Sequence, residues 1–136
     1  MNPRVNNPRQ SASTIMKTIL LVEDDSFIVD IYASQFQKEG FQVDIANDGQ
    51  MALEKIKNVP PDLLVLDIGL PKLTGWEVLK SLRNDPKTKD LKVIVISNFN
   101  KEDGAENTAG LGVIKYFVKI ESTPEEIVNT VKEILK

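Results

Sequence analysis

The chain predicts an α/β fold, a doubly wound five-stranded parallel sheet with helices on both faces, and three observations carry that prediction. Apolar runs of strand length alternate with segments of helical period throughout the sequence. The runs at 19–22, 63–66 and 93–96 contain no polar residue, as expected of strands covered on both faces. The runs at 41–45 and 116–118 are weaker and suit the sheet edges. With right-handed crossovers and three central strands, the favoured order is 2-1-3-4-5, a (βα)5 sandwich of three layers.

Each element has a local signature. Residues 1–16 are rich in Asn, Pro and Ser without apolar period and read as a flexible leader, which leaves 17–136 as the folded domain. Ile19, Leu20, Leu21 and Val22 form the first strand, which runs into Glu23-Asp24-Asp25. Ser26 or Asp25 can cap a first helix whose inward stripe is expected to be Phe27, Ile28, Ile31 and Phe36, with Gly40 as its C-terminal stop. Phe41, Val43 and Ile45 alternate with polar residues, so one side of the second strand is wet or exposed. Asp48-Gly49 opens a second helix with Ala52, Leu53 and Ile56 inward, closed by Pro60-Pro61.

The central run at 63–66 then delivers Asp67 to a loop containing Gly69 and Pro71. Thr74 and Glu77 have capping-box spacing for a third helix with Val78, Leu79 and Leu82 inward, ended by Asn84-Asp85-Pro86. The run at 93–96 ends in Ser97-Asn98, and Asn100 can cap a fourth helix weakened by Gly104, Gly110 and Gly112. A short strand at 116–118 ends at Lys119. Thr123-Pro124-Glu125-Glu126 combines a capping box with proline at the first helical position, and Ile127, Val128, Val131, Ile134 and Leu135 give the clearest helical stripe of the chain.

Composition removes whole classes of chemistry. A chain of 136 residues with 41% hydrophobic and 27% charged residues is long enough for one domain with its own core. No apolar run reaches membrane-span length, and no secretory signal opens the chain, so the expected location is cytoplasmic, without membrane insertion. The absence of cysteine and histidine excludes disulfides, thiolate chemistry, Ser-His catalysis and imidazole ligands from these residues. The first 17 residues hold three bases and no acid, leaving 14 bases against 20 acids, a net −6, in the remainder. An acidic body of this kind argues against direct nucleic-acid binding, which needs a basic stripe.

The proposed strand order brings the first and third strands together, and with them Glu23, Asp24 and Asp67 at their carboxyl ends, where open parallel sheets bind ligands. Three neighbouring carboxylates repel, and a hard divalent cation such as Mg2+ resolves that repulsion with oxygen ligands. The fourth and fifth strands end at the same edge in Ser97 and Lys119. A hydroxyl and an ammonium facing a metal–carboxylate cluster suit an incoming phosphoryl group, with Asp67 as the nucleophile.

The residues 21–25 (Leu-Val-Glu-Asp-Asp), 66–71 (Leu-Asp-Ile-Gly-Leu-Pro), Gly75, Ser97 and 116–119 (Tyr-Phe-Val-Lys) together resemble the receiver domain of two-component response regulators. The resemblance runs from Lys17 to Lys136 and implies the flavodoxin-like version of the fold. It implies that Asp67 accepts a phosphoryl group from the phosphohistidine of a histidine kinase or phosphotransfer protein, with Glu23, Asp24 and Asp67 at the Mg2+ site. Ser97 would be the switch hydroxyl, Tyr116 the aromatic that reports phosphorylation, Lys119 the phosphate-contacting lysine, and Asp25 a lesser third acid. Two positions depart from the family pattern. Ile120 stands where proline follows the lysine after a cis bond, so a trans or strained bond is expected. Asn98 stands where a small residue follows the switch hydroxyl and narrows access to the phosphoryl group.

The resulting expectation is a stand-alone phosphoacceptor receiver, ending one helix after Lys119, and not an enzyme acting on other substrates. Its output passes to an unknown downstream protein through the face of the fourth helix, fifth strand and fifth helix, where the stretch 104–112 is expected to have low local stability. Two rivals remain. A carboxylate-nucleophile phosphatase usually has a second acid two residues after the nucleophile, where this chain has Gly69. A degenerate receiver would act as a docking module independent of phosphorylation, a reading that Ile120 and Asn98 keep open.

Overall fold

The computed structural model describes residues 16–98 and 110–136. Its strands are β1 (Thr18–Val22), β2 (Gln42–Ala46), β3 (Leu63–Asp67), β4 (Lys92–Ser97) and β5 (Val113–Val118). They form one parallel sheet in the order β2-β1-β3-β4-β5, as the sequence predicts. The α-helices among the described residues are α1 (Ser26–Lys38), α2 (Gly49–Asn58), α3 (Gly75–Asn84) and the C-terminal α4 (Pro124–Ile134), with a single 3-10 turn at Lys119–Glu121. The helix expected to start at Asn100, and residues 1–15 of the expected leader, lie outside the described residues.

The apolar strands feed two cores because successive side chains leave a strand on opposite faces. Ile19, Leu21, Leu63, Val65, Ile94 and Ile96 pack with Phe36, Ile127 and Val131 on the α1–α4 side. Leu20, Val22, Leu64, Leu66, Val93 and Val95 pack with Ala52, Ile56, Leu79 and Leu82 on the α2–α3 side. Both faces of the three central strands are therefore dry, which accounts for their unbroken hydrophobicity.

Caps set the helix starts. Asp25 accepts hydrogen bonds from the N–H groups of Phe27 (2.9 Å) and Ile28 (3.4 Å), so it, and not Ser26, is the N-cap of α1. Asp48 caps α2, and Thr74 with Glu77 and Thr123 with Glu126 form complete capping boxes on α3 and α4. Gly40 terminates α1 with φ +92°.

Two expectations are corrected. The inward face of α1 is Val29, Tyr32, Ala33 and Phe36, a stripe at i, i+3, i+4 and i+7. Phe27 is 73% exposed and Ile31 also faces solvent, because residues two apart on a helix do not share a face. The fifth strand begins three residues earlier than expected, at Val113. Its outer residues Ile114 and Lys115 are exposed on the sheet edge, so no continuous apolar run marks it. A register shift between Val93 and Ile94 leaves Ile114 as an extra residue in the pairing of β4 with β5.

Candidate functional site

The site is built where the chain leaves the carboxyl ends of β1, β3, β4 and β5. The Glu23 N–H donates to the Ala46 carbonyl at 3.0 Å, which extends β1 by one residue and turns the Glu23 side chain inward, to 1% exposure. Asp24 stays exposed. The Asp25 N–H donates to Glu23 Oε2 at 3.1 Å, while the Asp25 carboxylate caps α1. Asp25 therefore orders the loop and does not join the cluster.

Asp67 is the last residue of β3, 4% exposed and opposite Ile96 of β4. Its Oδ1 accepts the Gly69 N–H at 3.1 Å, and its Oδ2 accepts from Lys119 Nζ at 3.1 Å. Ser97 ends β4, buried and opposite Val118. Lys119 follows β5 directly, and its Nζ also lies 2.8 Å from Glu23 Oε1. The Lys119–Ile120 peptide is trans, and the lysine enters the site with Ile120 turned outward at 87% exposure.

These groups line a cleft of about 540 Å3 together with Asp24, Ile28, Gly69, Asn98 and Ile120. Glu23, Asp24 and Asp67 each offer a carboxylate oxygen, all within 4.8 Å of one another. Burial pushes the Glu23 carboxyl up to about 7, and the charge of Asp67 adds to this. The Lys119 ammonium and the Asp25 N–H oppose the rise. Burial would lower Lys119, but its contacts with Glu23 and Asp67 outweigh that and raise it.

One buried oxygen remains short of a donor. Glu23 Oε1 is close to Lys119 Nζ, yet among the described residues no donor is aligned to give it a hydrogen bond. A buried acceptor in that condition, in a group of three oxygen donors carrying more negative charge than one lysine offsets, fits a hard divalent cation. The residues that would hold it are Glu23, Asp24 and Asp67.

Not every expected residue lines the cleft. Tyr116 lies opposite Val95 on β5, half-buried, and packs with the α2–α3 core. Two glycines explain how the loop after Asp67 is held. A Cβ on Gly75 would lie 2.6 Å from the Asp67 carbonyl oxygen and 2.7 Å from Ile68 Cα, so α3 starts directly against the Asp67 backbone. A Cβ on Gly49 would collide with the Leu73 carbonyl, so the start of α2 presses on the same loop from the other side. In the sequence Gly49 shows only as part of a helix start, and no local signal marks this contact. Ile28, expected to face inward, packs half-buried against the α1–α4 core and also lines the cleft.

Comparison with known proteins agrees with this geometry. Residues 19–132 match the family model of the response regulator receiver domain. The chain is 38% identical over 122 residues to the alkaline phosphatase synthesis transcriptional regulatory protein PhoP of Bacillus subtilis (strain 168). That match covers 88% of this chain and 49% of PhoP, so the chain spans about half the length of that relative. A CheY-like response regulator receiver domain protein from Methanospirillum hungatei JF-1 superposes with a TM-score of 0.80 at 28% identity, covering 89% of this chain and 94% of that one. The phosphorylated cyanobacterial phytochrome response regulator RcpA superposes at 0.76 with 29% identity, covering 88% and 91%. The chain belongs to the response regulator receiver family, whose members are modules of phosphorylation-based signalling.

Proposed function

We propose that residues 17–136 form a receiver in which Asp67 takes a phosphoryl group from the phosphohistidine of a partner kinase or phosphotransfer protein. The observation that carries this reading is the placement of Asp67 itself: a buried carboxylate at a strand end, in ion-pair contact with Lys119 and beside two further acids. An Asp67 oxygen attacks phosphorus while the P–N bond to the partner's imidazole breaks, the imidazole nitrogen keeping the electron pair. The product is an acyl phosphate on Asp67, and water later returns the carboxylate and inorganic phosphate. The chain contains no histidine, so this sequence does not supply the donor.

Lys119 neutralises phosphoryl oxygens, and Ser97 donates its hydroxyl to them. Glu23, Asp24 and Asp67 hold Mg2+, which when bound offsets the charge gathered on the transferring group. Ser97 and Tyr116 act as the switch pair. Output is carried to a downstream protein by the face that includes β5 and α4. Among the described residues no helix is long and apolar enough to cross a membrane.

Trp76, the single tryptophan, follows Gly75 in α3 and packs half-buried against the α2–α3 core, and its fluorescence serves to report the reaction. Addition of Mg2+ with a small phosphodonor or beryllofluoride is expected to change its fluorescence and, with the phosphodonor, to add one phosphoryl mass. Asp67→Asn is expected to abolish both changes. A phosphoryl adduct that survives Asp67→Asn would overturn the assignment.

A further inference from the structure

The loop after Asp67 contains a backbone conformation that its residues do not favour. The Leu73 N–H donates to the Pro71 carbonyl at 2.8 Å, and Lys72 between them has φ +65°. The three residues therefore form a γ-turn of the strained hand, with a long side chain at the position where glycine would sit freely. Among the described residues Lys72 alone, apart from glycines, has a positive φ. Strain of this kind persists only where the surroundings impose it.

Here the surroundings are the start of α2. Asp48 is 8% exposed. Its Oδ1 accepts the Met51 N–H at 2.8 Å, and its Oδ2 lies 3.6 Å from Lys72 Nζ. The Met51 N–H first, and the Lys72 charge after it, hold the Asp48 carboxyl below its ordinary value against burial, so a charged carboxylate faces the ammonium. One residue further along each segment, Gly49 leaves room for the Leu73 carbonyl. An ion pair and a close backbone approach thus seat the γ-turn on α2.

The other end of the same loop touches Asp67. The Gly69 N–H donates to Asp67 Oδ1 at 3.1 Å, and the Gly75 N–H closes the loop on the Ile68 carbonyl at 3.0 Å. Only Leu70, which is buried, separates Gly69 from Pro71, the first residue of the γ-turn, whose ring fixes its φ. So stiff a connection carries any displacement of the turn to the Gly69 N–H and frees the Asp67 carboxylate to rotate. A nucleophile held less closely to its line of attack reacts more slowly.

We propose that Asp48 and Lys72 are positioning residues for phosphoryl transfer: their ion pair holds the γ-turn on α2, and the γ-turn holds the Gly69 N–H on Asp67. The proposal rests on reading Asp67 as the phosphoacceptor. A lysine stands where glycine would be unstrained because its ammonium reaches Asp48.

Labelling of the full chain by acetyl phosphate with Mg2+ tests it, together with hydrogen exchange of the Gly69 amide followed by NMR. Asp48→Asn removes the charge and keeps the helix cap, since asparagine caps as well as aspartate. Lys72→Met keeps the stem of the side chain and removes the ammonium. Each is expected to slow labelling about threefold, equivalent to about 0.65 kcal/mol and within the reach of an ion pair this open. Each is also expected to speed exchange of the Gly69 amide. The double variant is expected to be no slower than either single one, and Lys72→Arg to keep the wild-type rate. Lys72→Gly separates position from stability, because it is expected to label more slowly although it relieves the strained turn. Wild-type labelling in Asp48→Asn, Lys72→Met or Lys72→Gly, single effects that multiply in the double variant, or unchanged Gly69 exchange would overturn the proposal. If acetyl phosphate leaves Asp67 of the wild type unlabelled, the phosphoacceptor reading fails instead, and Gly69 exchange in the two single variants still decides whether the ion pair holds the loop.

Discussion

The two ends of the sheet handle charge in opposite ways. At the carboxyl ends, Glu23, Asp24 and Asp67 gather near one ammonium. At the amino ends, the Arg83 guanidinium donates to four carbonyl oxygens: Leu111 at 2.7 Å, Lys89 at 3.0 Å, and Thr88 and Gly112 at 3.3 Å. A parallel sheet with crossover helices places helix N-termini at the first edge and C-termini at the second. Unpaired N–H groups thus favour acids at one edge, and unpaired C=O groups favour bases at the other. Lys38, Lys55, Lys57, Arg83 and Lys132 all stand in last turns. The difference is in completeness. Backbone oxygens satisfy Arg83 and make it a structural tie between α3, the turn before β4 and the start of β5. The acids exceed their donors, and that excess of negative charge fits a divalent cation.

The largest expected effect comes from removing the ammonium at the charged end. Without divalent ions, Lys119→Met leaves Glu23 and Asp67 unpaired and is expected to cost about 3–5 kcal/mol in urea unfolding. Added Mg2+ should restore much of that loss. Equal destabilisation with and without Mg2+ would mean that the acids are not the source.

The pH dependence sharpens the same point. Glu23 is raised to about 7 from 4.5, so between those values the folded chain holds a proton that the unfolded chain has released. Its contribution is thus present below about pH 4.5 and is lost as pH rises through about 7. Thermal melts in EDTA should show this decline, and Glu23→Gln should flatten it.

Smaller effects are expected from the loop between these groups. Gly75→Ala forces a methyl group against the Asp67 carbonyl and should cost about 1–3 kcal/mol. It should also slow phosphodonor labelling, because the acceptor loop is displaced. Lys72 holds φ +65°, a conformation that costs a side-chain-bearing residue about 1–2 kcal/mol. Its ion pair with Asp48, at 3.6 Å and largely exposed on the lysine side, offsets only part of that. Lys72→Gly is therefore expected to stabilise the fold by up to about 1 kcal/mol; a lower melting temperature would contradict this.

Much of the molecule is legible in the chain because its signals are local. The three dry strands, both capping boxes and the stop at Gly40 each depend on residues within one element. The alternation of those elements is enough to bring Glu23, Asp67, Ser97 and Lys119 to one edge. The face of α1 is harder to read, because Phe27 and Ile31 are as apolar as Val29 and Ala33. Only packing against β1 and α4 decides which set is inside. The early start of β5 was hidden for a related reason, since an edge strand can expose Ile114 and Lys115 without penalty.

What the sequence by itself determined is the kind of chemistry: carboxylates, one hydroxyl and one lysine at strand ends, with no histidine or cysteine to compete. Tertiary structure decided how those groups are paired. Which oxygen of Glu23 lacks a donor, how closely Lys119 approaches it, and how Gly49 and Gly75 clasp the loop after Asp67 depend on distances between elements far apart in the chain. Electrostatic and steric energies change over an ångström, whereas a sequence pattern specifies only which residues arrive at the same edge.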